Sequence, residues 1–208
     1  MIYELMQTRR SVRRFRSECP SRQQVMKLIE AAITAPSASN KQPWRFLIIT
    51  NRQLIESLAV RVREAVDRIA RHIEPQSVEA FRSYGDYFTR FENAPVVIVT
   101  LFRRLTVLSH LVDASLSSDD RERIGRMERD SGLIGVAMAM QNLLLMAHEC
   151  GLGASGLTGP LVADDHIRRI LDVQPSWEVA ALIAVGFAAE DPPAPDRKPS
   201  EKVVTWIE

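Results

Sequence analysis

The chain has 208 residues, 46% of them apolar, and its charged side chains nearly cancel at a net charge of +1. This length and composition predict one globular domain, and the balanced charge argues against the basic surface typical of a nucleic-acid-binding protein. The two cysteines form no CxxC pair and the four histidines are scattered, so neither a metal site nor a disulfide framework is indicated.

The amino-terminal part of the chain predicts two helices and no targeting segment. Residues 2 to 8 and 21 to 34 show helical spacing of apolar side chains, and Ser21 with Gln24 forms a capping-box pattern. The first residues lack the apolar core of a secretory signal, and no uninterrupted apolar run approaches the ~20 residues of a membrane span. We therefore expect a cytoplasmic protein with no membrane contact.

The decapeptide APSASNKQPW, residues 35 to 44, follows the second helix and precedes a predicted buried strand at residues 45 to 50. Pro36 ends the helix, and together with Pro43 it restricts the backbone of the small polar residues between them. On the sequence alone the decapeptide is either an ordinary proline-bounded loop or a set of hydrogen-bonding groups held ready for a ligand.

The middle of the chain predicts a helix, a strand and an insert. Residues 52 to 72 return to a helical period, and residues 93 to 101 form a second buried strand with a proline at its entrance. A polar, charge-dense segment follows and extends to Asp130, which predicts a mobile loop or an exposed helix. We interpret residues 102 to 129 as a lid insert.

The last third of the chain predicts a buried helix, a strand and an extended tail. Residues 131 to 150 are apolar on most helical faces, and a helix so buried is hard to cover within ~200 residues, so a second subunit is expected. Residues 178 to 186 form a third predicted strand, and several prolines then keep the tail extended. Strands separated by helices predict an α+β or α/β sandwich with one domain over residues 1 to 208.

Three separated segments combine basic residues with small polar residues or proline. They are Arg9-Arg10-Ser11-Val12-Arg13, the segment Pro36 to Trp44, and Arg197-Lys198-Pro199. In this order the chain resembles the nitroreductase superfamily of FMN-dependent oxidoreductases, which has an RRSxR-type motif, a PSxxNxQPW motif and an RKP-type tail. The strand ENAPVVIV, the helix DSGLIGVAMAMQNLLLMAHECGLG and the loop GLTGP also stand in that family's order. The likeness covers nearly the whole chain outside the insert.

The resemblance implies a fold and an activity. The fold would be an α+β three-layer sandwich, a mainly antiparallel sheet flanked by helices, in an intertwined homodimer whose residues 190 to 208 reach the partner subunit. NADH or NADPH would reduce bound FMN in a ping-pong cycle, and the flavin would then reduce a small aromatic acceptor such as a nitroaromatic or a quinone. The alternatives are reductive dehalogenation, oxygen-dependent fragmentation of FMN to dimethylbenzimidazole, and a non-catalytic flavin-binding dimer.

The same resemblance implies the cofactor-binding residues. Arg9, Ser11 and Arg197 would clamp the phosphate, and Arg13 would lie near the pyrimidine edge of the ring. The PSxxNxQPW segment would reach the partner's flavin, and a backbone amide of the GLTGP loop would face flavin N5. The implied set is Arg9, Arg10, Ser11, Arg13, Pro36, Ser37, Ala38, Ser39, Asn40, Gln42, Leu157, Thr158, Gly159, Arg197 and Lys198. No side chain is assigned a catalytic role, because the flavin would carry the chemistry.

Overall fold

A four-stranded antiparallel sheet separates two hydrophobic cores. The computed structural model describes residues 1–208, and its strand order is β1 (Trp44–Ile49), β2 (Val96–Phe102), β4 (Glu178–Gly186) and β3 (Gly153–Leu157). Every neighbouring pair is antiparallel. The two central strands, β2 and β4, are buried along almost their whole length, which accounts for their continuous apolar sequences.

Six helices cover the two faces of the sheet. They are α1 (Ile2–Thr8), α2 (Arg22–Ala32), α3 (Arg52–Ala70), α4 (Val78–Gly85), α5 (Ser118–Glu149) and α6 (Asp164–Ile170). Successive residues of β2 point to opposite faces, so Ile98 joins the core under α2 and α5 while Val97 and Val99 join the core under α3 and α6. The predicted α+β sandwich with three layers is therefore confirmed.

The second helix begins as the sequence predicts. Ser21 Oγ accepts a hydrogen bond from the Gln24 amide at 3.2 Å, and the Gln24 side chain accepts one from the Ser21 amide at 2.9 Å. This reciprocal pair is a capping box, which satisfies two amides that have no partner inside the helix. The helix ends at Ala32, two residues before the predicted end at position 34.

Several elements differ from the sequence prediction. Helix α5 begins at Ser118, not at residue 131, so residues 118 to 129 form a mostly exposed helical extension, which was one of the two alternatives for this segment, and only residues 103 to 117 form a loop. Strand β3 replaces part of the predicted turn at residues 156 to 160, although its sequence GASGL has low strand propensity. Helices α4 and α6 were not predicted, because each spans only two turns.

One buried carboxylate fixes the loop after β2. The Glu128 residue is 2% exposed, and its Oε1 accepts hydrogen bonds from the Val107 amide at 2.7 Å and the Ser109 amide at 3.0 Å. Burial alone would raise the pKa of Glu128, but the hydrogen bonds from Ser109 and Val107 hold that pKa below its ordinary value of 4.5. At neutral pH the carboxylate is ionised and anchors this loop on α5.

Helix α5 meets a length and hydropathy criterion for a membrane span, although polar residues such as Gln141 and Asn142 interrupt its apolar run. Its most apolar 18 residues have a mean hydropathy of 1.3. Length and composition alone do not separate a span from the core helix of a soluble protein, and α5 buries Val136, Ala139 and Leu143 against the sheet side of the fold. Only 33% of this window is buried within one chain, and Ile134 is 57% exposed.

Candidate functional site

The residues after α1 run beside the edge strand β3. Ser11 forms a parallel bridge with Ala154, and the Val12 amide donates a hydrogen bond to the Ala154 carbonyl at 3.1 Å. The approach is close because position 153 is a glycine: a Cβ there would lie 2.7 Å from Val12 Cγ1. The arginine-rich motif is thereby held against the edge of the sheet.

The chain after β4 returns to the same edge. One oxygen of Glu190 accepts hydrogen bonds from the Arg13 amide at 2.6 Å and the Arg14 amide at 3.0 Å. Three prolines between positions 192 and 195 then keep the backbone extended. They lead Arg197 to the arginine-rich motif, so the two ends of the chain meet at one place.

These two segments enclose a cavity of about 170 Å³ whose only charged lining residues are arginines; we call it the arginine cavity. It is lined by Arg9, Arg10, Ser11, Arg13, Pro192, Pro193, Pro195 and Arg197. Partial burial lowers the pKa of Arg9, and the positive charges of Arg197 and Arg10 lower it further. Because arginine stays protonated in proteins, the repulsion persists until an anion enters. The cavity therefore has the electrostatics of an anion site.

The arginines of this cavity differ in whether their guanidinium groups already donate hydrogen bonds within the chain. Arg10 donates a hydrogen bond to the Gln7 carbonyl at 2.7 Å, which satisfies the end of α1, and Arg13 donates one to the Ser11 carbonyl at 3.2 Å. Neither Arg9 nor Arg197 takes part in an ion pair. These two guanidinium groups are the ones free to bind a ligand.

A second cavity, of about 260 Å³, shares Arg13 with the first and is bounded by aromatic rings; we call it the aromatic cavity. It is lined by Arg13, Tyr84, Tyr87, Phe88, Ser155, Gly156, Leu157, Thr158 and Gly159. Tyr84 and Phe88 are in edge-to-face contact, with ring centroids 5.0 Å apart. The Arg90 guanidinium lies 4.0 Å from the centroid of the Tyr87 ring. Strand β3 and the start of the loop after it thus face an aromatic wall.

The aromatic wall is a part of the site that the sequence reasoning missed. Its three rings come from α4 and the 3-10 turn that follows, within the segment RSYGDYFTRF. The available signal was the spacing of Tyr84, Tyr87 and Phe88, since residues three and four apart share one face of a helix.

Residues 36 to 42 of the PSxxNxQPW segment, which we call the arm, have an unusual backbone. Ser39 and Asn40 have φ of 51° and Gln42 has φ of 46°. Left-handed conformations of residues other than glycine cost on the order of 1 kcal/mol or more each. The Ser37 hydroxyl accepts a hydrogen bond from the Gln42 amide at 3.0 Å, which helps to hold this shape. The side chains of Asn40 and Gln42 are nevertheless exposed.

The arm and the two cavities lie at opposite corners of the sheet. The arm leads into β1 at Trp44, which is in register with Phe102 and, across β2, with Glu178. The arginine cavity lies beside Ala154, which pairs with Val185 at the other end of β4. Three strand spacings and most of a strand length separate the two places, roughly 20 Å or more. A ligand in the cavities therefore does not reach the arm of its own chain.

The predicted site residues thus fall into three groups. Eight line the two cavities: Arg9, Arg10, Ser11, Arg13, Leu157, Thr158, Gly159 and Arg197. Six form the distant arm: Pro36, Ser37, Ala38, Ser39, Asn40 and Gln42. Lys198 is exposed in the tail and lines neither cavity.

The fold is thus an α+β sandwich in which a cavity lined by arginines lies beside a cavity lined by aromatic rings. Residues 6–187 match the model of the Nitroreductase family. The chain therefore belongs to the nitroreductase family, as the sequence motifs predict.

The similar proteins include reductases and flavoproteins. A protein named NADH dehydrogenase from Thermus thermophilus is 27% identical over 213 residues, which cover 95% of this chain and 92% of that protein. The 5,6-dimethylbenzimidazole synthase of Rhodospirillum rubrum is 26% identical over 200 residues, covering 92% and 84% of the two chains. The crystal structure of a BluB-like flavoprotein from Clostridium difficile 630 has a TM-score of 0.87 and 25% identity, covering 100% and 99% of the two chains.

The close contact between the loop and the aromatic wall can be tested at Gly159. A Cβ at this position would lie 2.2 Å from Phe88 Cδ1, so Gly159→Ala must displace the Phe88 ring. We expect the free energy of unfolding to fall by about 1–3 kcal/mol, measured by urea denaturation of the cofactor-free protein.

Gly156→Ala is the matched control. A Cβ at Gly156 would lie 3.8 Å from Met140 Cε, an ordinary contact, and we expect a change below about 1 kcal/mol. Equal losses in the two variants would contradict the close approach of Phe88 to Gly159.

Proposed function

We propose that the protein is an FMN-dependent oxidoreductase that holds the phosphate in the arginine cavity and the ring in the aromatic cavity. The observation that carries this proposal is the junction of the two cavities at Arg13, with no acidic side chain in either lining. FMN needs cationic forks for its phosphate, polar partners for its ribityl chain and an apolar slot for its ring. Membership of the nitroreductase family and the likeness to a named flavoprotein support the same conclusion.

Each part of the site has a defined task in this proposal. Arg9 and Arg197 bind the phosphate with the help of Ser11, and Lys198 adds positive charge at the entrance. Arg13 stabilises the negative charge that develops on the ring when it is reduced. A backbone amide near Thr158 faces the reactive edge of the ring, and Phe88, the buried ring of the aromatic wall, excludes water from one side.

The chemistry would come from the cofactor. When bound, FMN accepts a hydride from NADH or NADPH and passes electrons to a small acceptor such as a nitroaromatic or a quinone. The chain has no GxGxxG fingerprint after a strand, since its one GxGxxG spacing, at residues 151 to 156, follows helix α5 and runs into strand β3. The nicotinamide donor would therefore bind transiently over the open side of the aromatic cavity, beside the exposed Tyr84 and Tyr87. We place this activity in the cytoplasm, where both donors are available.

The active form in this proposal is a homodimer in which two chains build each flavin site. Three features of one chain support it: the strained, exposed arm, the uncovered apolar side of α5, and the tail at residues 190 to 208. Trp206 is 86% exposed and Ile207 is 94% exposed, so the end of the tail packs on nothing in its own chain. An apolar groove of about 350 Å³, lined in part by Met26 and Ile48 beside the free edge of β1, is where we place the partner's tail.

The phosphate clamp predicts how mutations change FMN affinity. Arg9→Ala and Arg197→Ala should each raise the Kd for FMN by about ten- to hundredfold, because a charge-assisted hydrogen bond is worth ~1.5–3 kcal/mol. The measurement is a titration of cofactor-free protein, followed by quenching of flavin fluorescence. Arg14→Ala is the control, because Arg14 directly follows the same motif, is 79% exposed and lines neither cavity.

Two outcomes would overturn the flavin proposal. One is a colourless preparation that takes up no added FMN, and the other is an unchanged affinity in both cavity variants. Steady-state oxidation of NADH and NADPH with menadione then separates an enzyme from a flavin-binding dimer, since a dimer without activity gives no acceleration over free FMN.

The shared site can be tested with mixed dimers of two damaged chains. A dimer of one Arg9→Ala chain and one Asn40→Ala chain contains one site with an intact cavity and an intact arm, if each arm serves the partner's cavity. We expect such mixtures to regain the tight FMN binding and the turnover of the parent, which both homodimers have in reduced measure. Mixtures of Arg9→Ala with Arg197→Ala chains are the control, because the two substitutions lie in one cavity and restore no site. Equal behaviour of the two mixtures would place the whole site in one chain.

A second candidate function is the oxygen-dependent fragmentation of FMN. It is favoured by the TM-score of 0.87 to the BluB-like flavoprotein, together with the match to a 5,6-dimethylbenzimidazole synthase. We expect the reduced, FMN-loaded protein to be reoxidised by air with release of peroxide and with intact FMN. Chromatography of the reaction would reveal dimethylbenzimidazole if fragmentation is the activity. Release of halide from a halogenated phenol under the same conditions would indicate the dehalogenating alternative.

A further inference from the structure

A third cavity, of about 460 Å³, lies beside the arm, and its charged lining is again entirely positive; we call it the lysine-arginine cavity. It is lined by Lys41, Arg103, Arg104, Leu105, Thr106, Val107 and Ser176. Lys41 belongs to the arm, and the two arginines directly follow β2. The Arg103 amide donates a hydrogen bond to the Pro43 carbonyl at 3.0 Å, which joins the arm to this basic segment.

The positive charges of this cavity have no counter-ion in the chain. None of Lys41, Arg103 and Arg104 takes part in any ion pair. The acidic side chains of the adjoining elements do not pair with these cations: Glu128 accepts backbone amides through Oε1, and Glu178 pairs with Arg129 at 2.8 Å. An anion that entered would therefore meet three cations that form no ion pair within the chain.

The walls of the cavity are fixed before any ligand arrives. The Leu105 amide donates to the Glu128 carbonyl at 3.2 Å, and the buried Glu128 carboxylate holds the residues that follow. The Arg103 guanidinium lies 5.6 Å from the Trp177 ring centroid, a cation–π contact that restricts this long side chain. A site whose walls are already ordered loses little conformational entropy on binding.

We propose that the lysine-arginine cavity binds the phosphate groups of the nicotinamide dinucleotide that reduces the flavin of the partner subunit. This inference rests on the proposed function, because Lys41 lies between Asn40 and Gln42 in the arm that would reach the partner's flavin. Guanidinium and ammonium groups suit phosphate oxygens. The volume of about 460 Å³, against about 170 Å³ for the arginine cavity, has room for more than one phosphate.

The test compares donors that differ in their phosphates. The double variant Arg103→Gln, Arg104→Gln should raise KM for NADH and for NADPH roughly tenfold, as expected for two exposed charge contacts. With N-benzyl-1,4-dihydronicotinamide, which has the reducing ring but no phosphate, kcat/KM should change by less than about twofold. The increase in KM for NADH and NADPH that the variant causes should become smaller at high salt, because salt screens exposed charges.

The matched control is the double variant Arg123→Gln, Arg126→Gln. It also removes two exposed arginines near the start of α5, and both lie outside the cavity in pairs with Asp120 and Glu122. This control should leave KM for every donor unchanged. An unchanged KM for both dinucleotides in the cavity variant, or an equal loss with the phosphate-free donor, would overturn the inference.

A binding measurement separates failure of this inference from failure of the flavin proposal. Inorganic pyrophosphate, titrated calorimetrically into FMN-saturated protein, should bind to the parent and to the control but at least about tenfold more weakly to the cavity variant. An FMN-loaded, active parent that binds no pyrophosphate would reject the inference and leave the flavin function standing. If the protein is colourless, pyrophosphate is titrated into the Arg9→Ala, Arg197→Ala variant, in which the arginine cavity has lost two of its cations. Weaker binding when Arg103→Gln and Arg104→Gln are added to this variant would still identify the lysine-arginine cavity as the binding site.

Discussion

The candidate site depends on one electrostatic constraint, which is that the fold gathers guanidinium groups without giving them a counter-ion. Two backbone connections bring them together: the bridge between Ser11 and Ala154, and the amides of Arg13 and Arg14 on Glu190. Neither connection uses the guanidinium groups of Arg9 or Arg197, so their mutual repulsion remains in the unliganded chain. A bound dianion would remove this repulsion and would stabilise the folded state by mass action.

The geometry of the sheet explains why the proposed flavin site uses two chains. The arm is fixed to the start of β1 and the arginine cavity to β3, and these strands form opposite edges of the sheet. A rigid four-stranded sheet cannot bring its two edges together, so the strained, exposed residues Asn40 and Gln42 lie far from the cavity of their own chain. In the proposed dimer the same separation places the arm of each chain over the cavity of the other.

The parts of the structure that the sequence predicted are those with strong local signals. Strands β1, β2 and β4 are continuous apolar runs with β-branched residues, and Ser21 with Gln24 marks a helix start. Strand β3 was missed because GASGL becomes a strand through pairing with β4 and with residue 11, both distant in sequence. The aromatic wall was missed for the same reason, since Tyr84 and Phe88 reach β3 only through tertiary packing. The motifs identified most of the basic residues that line the arginine cavity. They did so because these residues are recognised by their spacing in the sequence, which does not depend on knowing the local structure.

The same structural arrangement explains how a chain with a net charge of +1 contains two separate cavities whose charged lining residues are all positive. At each cavity the nearby carboxylate accepts backbone amides: Glu190 at the arginine cavity and Glu128 at the lysine-arginine cavity. The carboxylate orders the segment that carries the cations but leaves the cations unpaired. Elsewhere several arginines are paired with acidic side chains on exposed helices, for example Arg61 with Glu64. Overall neutrality and local excess charge are therefore compatible, and a phosphorylated ligand is attracted to specific cavities and not to the surface as a whole.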